Sequence, residues 1–124
     1  MSALSPNVER FLRRHVKSMW HLELLILLQR DRSRAWTIAE LVQELRASTL
    51  VVTDSLISLT QAGCLVAMPA DRYRYAPDSV AIAAAIDAVI EAYANFPVAV
   101  KKVIWEGFPS RMGLFADALR LKKR

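Results

Sequence analysis

TIAELVQELRASTLVVTDSLISLTQAGCLVAMPADRYRYA, residues 37–76, is the stretch whose reading decides the fold. Thr37 and Glu40 have the spacing of a capping box, in which a hydroxyl accepts from the backbone N–H three residues on and a carboxylate reaches back. Ile38, Leu41, Val42 and Leu45 follow as an apolar stripe at helical spacing. Arg46-Ala47-Ser48 connects to a second helix, capped by Ser48 or Thr49, that buries Val52, Leu56 and Leu59 at i, i+4 and i+7. Gly63 stops that helix, since a helix end often needs a left-handed residue and glycine adopts it without strain.

Past Gly63, Cys64 to Met68 is short and apolar, Pro69-Ala70-Asp71 has turn chemistry, and Arg72-Tyr73-Arg74-Tyr75 alternates with period two. Alternation puts Arg72 and Arg74 on one face of a strand and Tyr73 and Tyr75 on the other, the tyrosines toward the helices. Ala35-Trp36 has the length and position of a short strand that pairs with this hairpin. The expected fold class is therefore mainly α with a small β-hairpin.

Leu59-Thr60-Gln61-Ala62-Gly63-Cys64-Leu65 resembles the L-x-x-x-G-x-x segment that leaves the recognition helix of bacterial winged helix-turn-helix transcriptional regulators, MarR-like ones included. The resemblance covers residues 20–77, and the order of capping box, turn, helix, glycine and Tyr-rich hairpin is more specific than any one piece. Residues 93–100 and 115–122 are also similar to small bacterial winged-helix proteins. The resemblance implies a helix-turn-helix at 37–63, a wing at 64–76, and C-terminal helices at 78–106, in one domain spanning 1–106. It implies a cytoplasmic, dimeric regulator of transcription that binds double-stranded DNA through the helix at 48–62 in the major groove.

With Leu56, Leu59 and Gly63 as buried and terminal positions, Thr49, Val51, Thr53, Asp54, Ile57 and Ser58 are left to face DNA, with Arg46 and Ser48 at the connection and Arg72 and Arg74 on the wing. DNA-binding relatives usually carry Arg, Lys, Asn or Gln at several of these helix positions. This chain offers hydroxyls, aliphatics and one carboxylate, which can meet phosphate, a thymine methyl and cytosine N4 respectively. An aliphatic face with few charges also suits a protein partner. The alternative expectation is thus a winged-helix interaction module that binds protein through Val51 and Ile57 or through the C-terminal helices and has lost DNA binding.

Charge is unevenly placed. Residues 1–34 carry seven Lys/Arg against three Asp/Glu, residues 35–96 carry three against seven, and residues 97–124 carry seven against two. The net +5 therefore comes from the two ends, outside the segment that would touch bases, whereas non-specific DNA affinity comes mostly from cations at phosphates. The 124 residues fit one domain, and the 54% apolar content exceeds what a small core needs, which points to self-association. No apolar run reaches the roughly 20 residues that span a bilayer, and the first residues lack a signal peptide's basic start, so no membrane partner is expected.

Pro6 suits the first turn of a helix over residues 7–29, with Val8, Phe11, Leu12, Val16, Met19 and Trp20 at helical spacing and Arg10, Arg13, Arg14 and Lys17 opposite. Residues 30–34 read as a loop. Asp78 or Ser79 caps an alanine-rich helix to Tyr93, Asn95-Phe96-Pro97 breaks it, and a further helix runs through Val98, Val100, Val103, Ile104 and Trp105. These helices pack on the core or join two subunits. Residues 107–124 read as a basic C-terminal tail or a short helix. Trp20, Trp36, Tyr93 and Trp105 are candidates for a ligand pocket, though aromatics at such positions are more often core.

No active-site pattern occurs. His15 and His21, six residues apart on one expected helix, do not share a face and have no carboxylate or thiol at metal-ligand spacing. Gly63, Gly107 and Gly113 form no phosphate-cradling loop. Cys64 is the single cysteine, so no disulfide forms within the chain, and its apolar setting fits a buried thiol. Catalytic residues, metal and cofactors are accordingly expected to be none.

Overall fold

The computed structural model describes residues 3–107. The expected tail beyond Gly107 lies outside the described residues. In chain order the elements are α1 (Pro6–His15), α2 (Met19–Arg30), β1 (Trp36–Thr37), α3 (Ile38–Leu45), α4 (Thr49–Gln61), β2 (Leu65–Met68), β3 (Arg72–Tyr75) and α5 (Val80–Asn95). A last helix, α6 (Pro97–Gly107), meets α5 at a 114° bend. The chain is mainly helical with a small antiparallel three-stranded sheet. No single helix among the described residues is long and apolar enough to cross a membrane.

α2 is the centre of the core. Leu22, Leu24, Leu25 and Leu28 are fully buried and Leu27 nearly so, which makes this helix apolar almost all round, as a helix enclosed by others must be. Each such leucine contributes about 1.5–3 kcal/mol by leaving water. Around α2 pack α4, α3 and β3, while α1 lies against α5.

The single N-terminal helix expected over residues 7–29 is two helices. Val16 closes α1 in an extended conformation, and Ser18 starts α2 by accepting from the His21 N–H at 3.4 Å. The Lys17 N–H, freed by the break, donates to His21 Nδ1 at 3.3 Å. Apolar spacing runs across the joint without interruption because both helices bury leucines in the same core. The break therefore rests on local capping chemistry and not on hydrophobic pattern.

The expected capping box forms: Thr37 Oγ1 accepts from the Glu40 N–H at 3.2 Å, and Glu40 Oε1 accepts from the Thr37 N–H at 2.8 Å. Ser48 caps α4 and Ser79 caps α5. α4 ends in a Schellman motif. The Cys64 N–H donates to the Leu59 carbonyl and the Gly63 N–H to the Thr60 carbonyl, with Gly63 at φ +81°. A Cβ at Gly63 would stand 2.7 Å from Asp78 Oδ2 and 3.1 Å from Ile82 Cδ1, so the left-handed backbone angle favours glycine and any other residue would also displace the Asp78 side chain.

The sheet order is β1-β3-β2, with Trp36 opposite Tyr73 and Leu65 opposite Tyr75. Ala70 and Asp71 turn the hairpin in left-handed conformations. The expected alternation holds in part: Tyr75 is buried, Tyr73 packs on the core and Arg72 is exposed, while Arg74 is half-buried.

Candidate nucleic-acid interface

α3 and α4 are joined by Arg46, which itself turns the chain in a left-handed conformation at φ 54°, then Ala47 and the Ser48 cap. That tight joint fixes which side of α4 faces in. Val52, Ser55, Leu56 and Leu59 are buried, and Ser55 Oγ donates to the Val51 carbonyl at 2.8 Å in place of a solvent contact.

The outward stripe of α4 is Leu50, Asp54, Ile57 and Gln61, spaced i, i+4, i+7 and i+11. Leu50 is 78% exposed and Ile57 49%. Of the residues expected to face outward, Arg46, Ser48, Thr49, Asp54 and Ile57 are exposed, whereas Thr53 and Ser58 are half-buried. Val51 is not on this stripe. It is half-buried and faces Trp20, Leu24, Leu45 and Ala47, because α4 bears aliphatics on every side and contact with α2 and α3 selects which of them turn inward. Leu50 and Gln61 are exposed on this stripe but are not among the residues expected to face outward. Their spacing from Asp54 and Ile57 is the signal that identifies them.

One carboxylate interrupts the stripe. Asp54 Oδ2 lies 3.8 Å from His21 Nε2, at the joint between α1 and α2, while its own side chain stays 78% exposed. A shallow recess there is lined by Lys17, Ser18, His21, Asp54, Ile57 and Gln61. Lys17 is the one Lys or Arg that lines this recess.

Arginines gather instead around the sheet. Arg34 stacks on the Trp36 ring with its guanidinium carbon 3.5 Å from the ring centre, and it reaches Glu40 Oε2 at 3.0 Å. Arg32 lies over the Tyr75 ring at 5.7 Å. Such stacking holds a guanidinium at a defined place while leaving donors outward. The loop between α2 and β1 thus places two guanidiniums over rings of the sheet, Arg34 being paired with Glu40 as well. The Thr37 N–H and hydroxyl, followed by Arg34, hold the Glu40 carboxyl below its ordinary range.

The remaining titratable groups point to structure. Burial, helped by Asp78, pushes the Cys64 thiol up to about 11, which suits an inert core thiol. Burial and then Arg14 and Lys17 push the His15 pKa down. No group of three or more His, Cys, Asp or Glu able to hold a metal ion occurs among the described residues. Of the four aromatics considered for a pocket, Trp20 and Trp105 line one groove, whereas Trp36 sits under the hairpin and the Tyr93 hydroxyl donates to Glu23 Oε1 at 3.5 Å. Comparison with protein-family models, curated proteins and solved structures finds no match to the chain.

Proposed function

We propose that the chain is a winged helix-turn-helix protein that binds double-stranded DNA and regulates transcription. In this reading α3 and α4 are the helix-turn-helix, α4 enters the major groove by its Leu50, Asp54, Ile57 and Gln61 stripe, and the β2–β3 hairpin is the wing. Arg72 and Arg74 meet the phosphates, and the second copy of a homodimer supplies a second half-site. The observation that carries the reading is one arrangement: a tightly joined helix pair whose second helix keeps an outward stripe and leads, through a Schellman glycine, into an arginine-bearing hairpin backed by β1.

The test is fluorescence anisotropy of the full chain with a pool of short duplexes, the chain's own upstream region included, across a salt series. The expected result is a linear fall of log affinity with log salt. Replacing Arg72 and Arg74 together by Ala should then reduce the slope by about 2, since each neutralised phosphate contributes roughly 0.9. Absence of binding at low salt overturns the reading.

One observation favours a second reading. The outward stripe of α4 bears two exposed aliphatics and a carboxylate and no cation, a composition closer to the core of a protein interface than to a DNA-reading helix. In that reading α4 docks a protein, and Leu50→Asp with Ile57→Asp abolishes partner binding without any DNA affinity to lose.

A further inference from the structure

On the side of the molecule bearing α6, a groove of about 690 Å³ runs between the start of α2 and α6. Its floor is Ile104, which is nearly buried, and its walls are Trp20, Val98 and Trp105, which are 39%, 78% and 66% exposed. Val98, Lys101 or Lys102, and Trp105 follow each other at helical spacing, so α6 presents a continuous face to it. Lys17, Lys101 and Lys102 border the groove, and no acidic residue lines it among the described residues. Glu106, the carboxylate next to Trp105 in the chain, is engaged by Arg13 at 3.2 Å, a contact that also ties α1 to α6.

We propose that this groove receives an acidic amphipathic helix of another protein. Two tryptophans and a valine around an apolar floor are the anchors that a helix's i, i+4, i+7 side chains fill, and tryptophan is the residue most enriched where binding energy concentrates. Lys101 and Lys102 along the border match Glu or Asp on the flanks of that helix and reject a basic one. The chain's own continuation does not fit this charge. Residues 108–124 carry five Lys/Arg against one Asp, repeating the border's sign. A bilayer fits the shape less well, because a flat surface meets the exposed rims without reaching Ile104 at the floor. The groove shares no residue with the α4 stripe or the hairpin, so the inference stands whether or not the chain binds DNA.

The experiment titrates the full chain with a tryptophan-free amphipathic peptide bearing leucine on one face and glutamate on the other, and follows tryptophan emission. Trp36 is buried elsewhere, so the change reports Trp20 and Trp105. A saturable blue shift is expected, absent with a shuffled peptide of the same composition and weak with a lysine-faced one. Trp105→Ala, and separately Lys101→Glu with Lys102→Glu, should each weaken binding about tenfold or more while circular dichroism is unchanged. The proposal is overturned if no peptide produces a saturable shift, if the lysine-faced peptide binds as well, or if phosphatidylglycerol vesicles bind and the peptide does not. It is also overturned if sedimentation shows a dimer of the chain alone that Trp105→Ala dissolves.

Discussion

α4 and the hairpin that follows it differ in what they offer to a partner. α4 presents a stripe of Leu50, Asp54, Ile57 and Gln61 without a cation, whereas the hairpin beside it carries Arg72, exposed, and Arg74, half-buried. The chain thus separates shape from charge. The helix supplies a rod of defined register, and the attraction that would bring it to a polyanion is borne by elements beside it. Under the DNA reading, affinity follows the hairpin and selectivity follows α4. Under the protein reading, the arginines are a solvated border.

The junction between the two regions is the place to break the comparison most severely. Gly63→Ala forces a Cβ toward Asp78 at a left-handed backbone position, and it should cost about 1–3 kcal/mol in urea unfolding; under the DNA reading, affinity for duplexes should fall as well, as α4 and the hairpin lose their relative placement. A loss of stability below a few tenths of a kcal/mol would mean that the two regions tolerate a shifted junction.

A smaller change sharpens the contrast from the helix side. Asp54→Asn removes the carboxylate from the outward stripe, so the DNA reading expects several-fold tighter binding at low salt, in the same anisotropy assay, with the difference shrinking as salt rises. The protein reading expects DNA binding to stay absent.

The smallest effect probes the base of α3. Thr37→Ala removes the cap and should lower stability by about 1 kcal/mol in the same urea assay. The partner of that cap adds a pH signature. Glu40 ionises more readily when folded, so its contribution is present above the ordinary carboxylate range and is lost as pH falls through the lowered value. Urea midpoints of the native chain should therefore decline more steeply on acidification than those of Glu40→Gln, which keeps a neutral acceptor.

The parts of the fold legible in the sequence are those fixed by local chemistry. Thr37 with Glu40, Gly63, the turn at Pro69-Ala70-Asp71 and the Arg/Tyr alternation each specify a backbone state within a few residues, and each takes that state. The joint at Val16-Lys17-Ser18 was not legible. Its cap is a lone serine without a Glu or Gln three residues on, set inside an unbroken apolar period. The register of α4 was legible only in part, because Leu50, Val51, Val52 and Ile57 are all aliphatic and only packing against α2 and α3 decides which turn outward. Arg32 lies over the Tyr75 ring and Arg34 over the Trp36 ring, and the Arg32–Tyr75 proximity is one that no spacing along the chain encodes.

The hairpin is closed at its base: the Ala76 N–H donates to the Cys64 carbonyl, and the Asp78 N–H donates to the Gly63 carbonyl at 2.8 Å. The exit from α4 and the approach to α5 are thereby fixed to each other before the chain reaches the tip. What lies between is an excursion that returns to its point of departure. Its reach is a free variable of the architecture: residues inserted at Pro69-Ala70-Asp71 lengthen the projection at the modest entropic rate of a growing loop, and the helical body keeps its spacing.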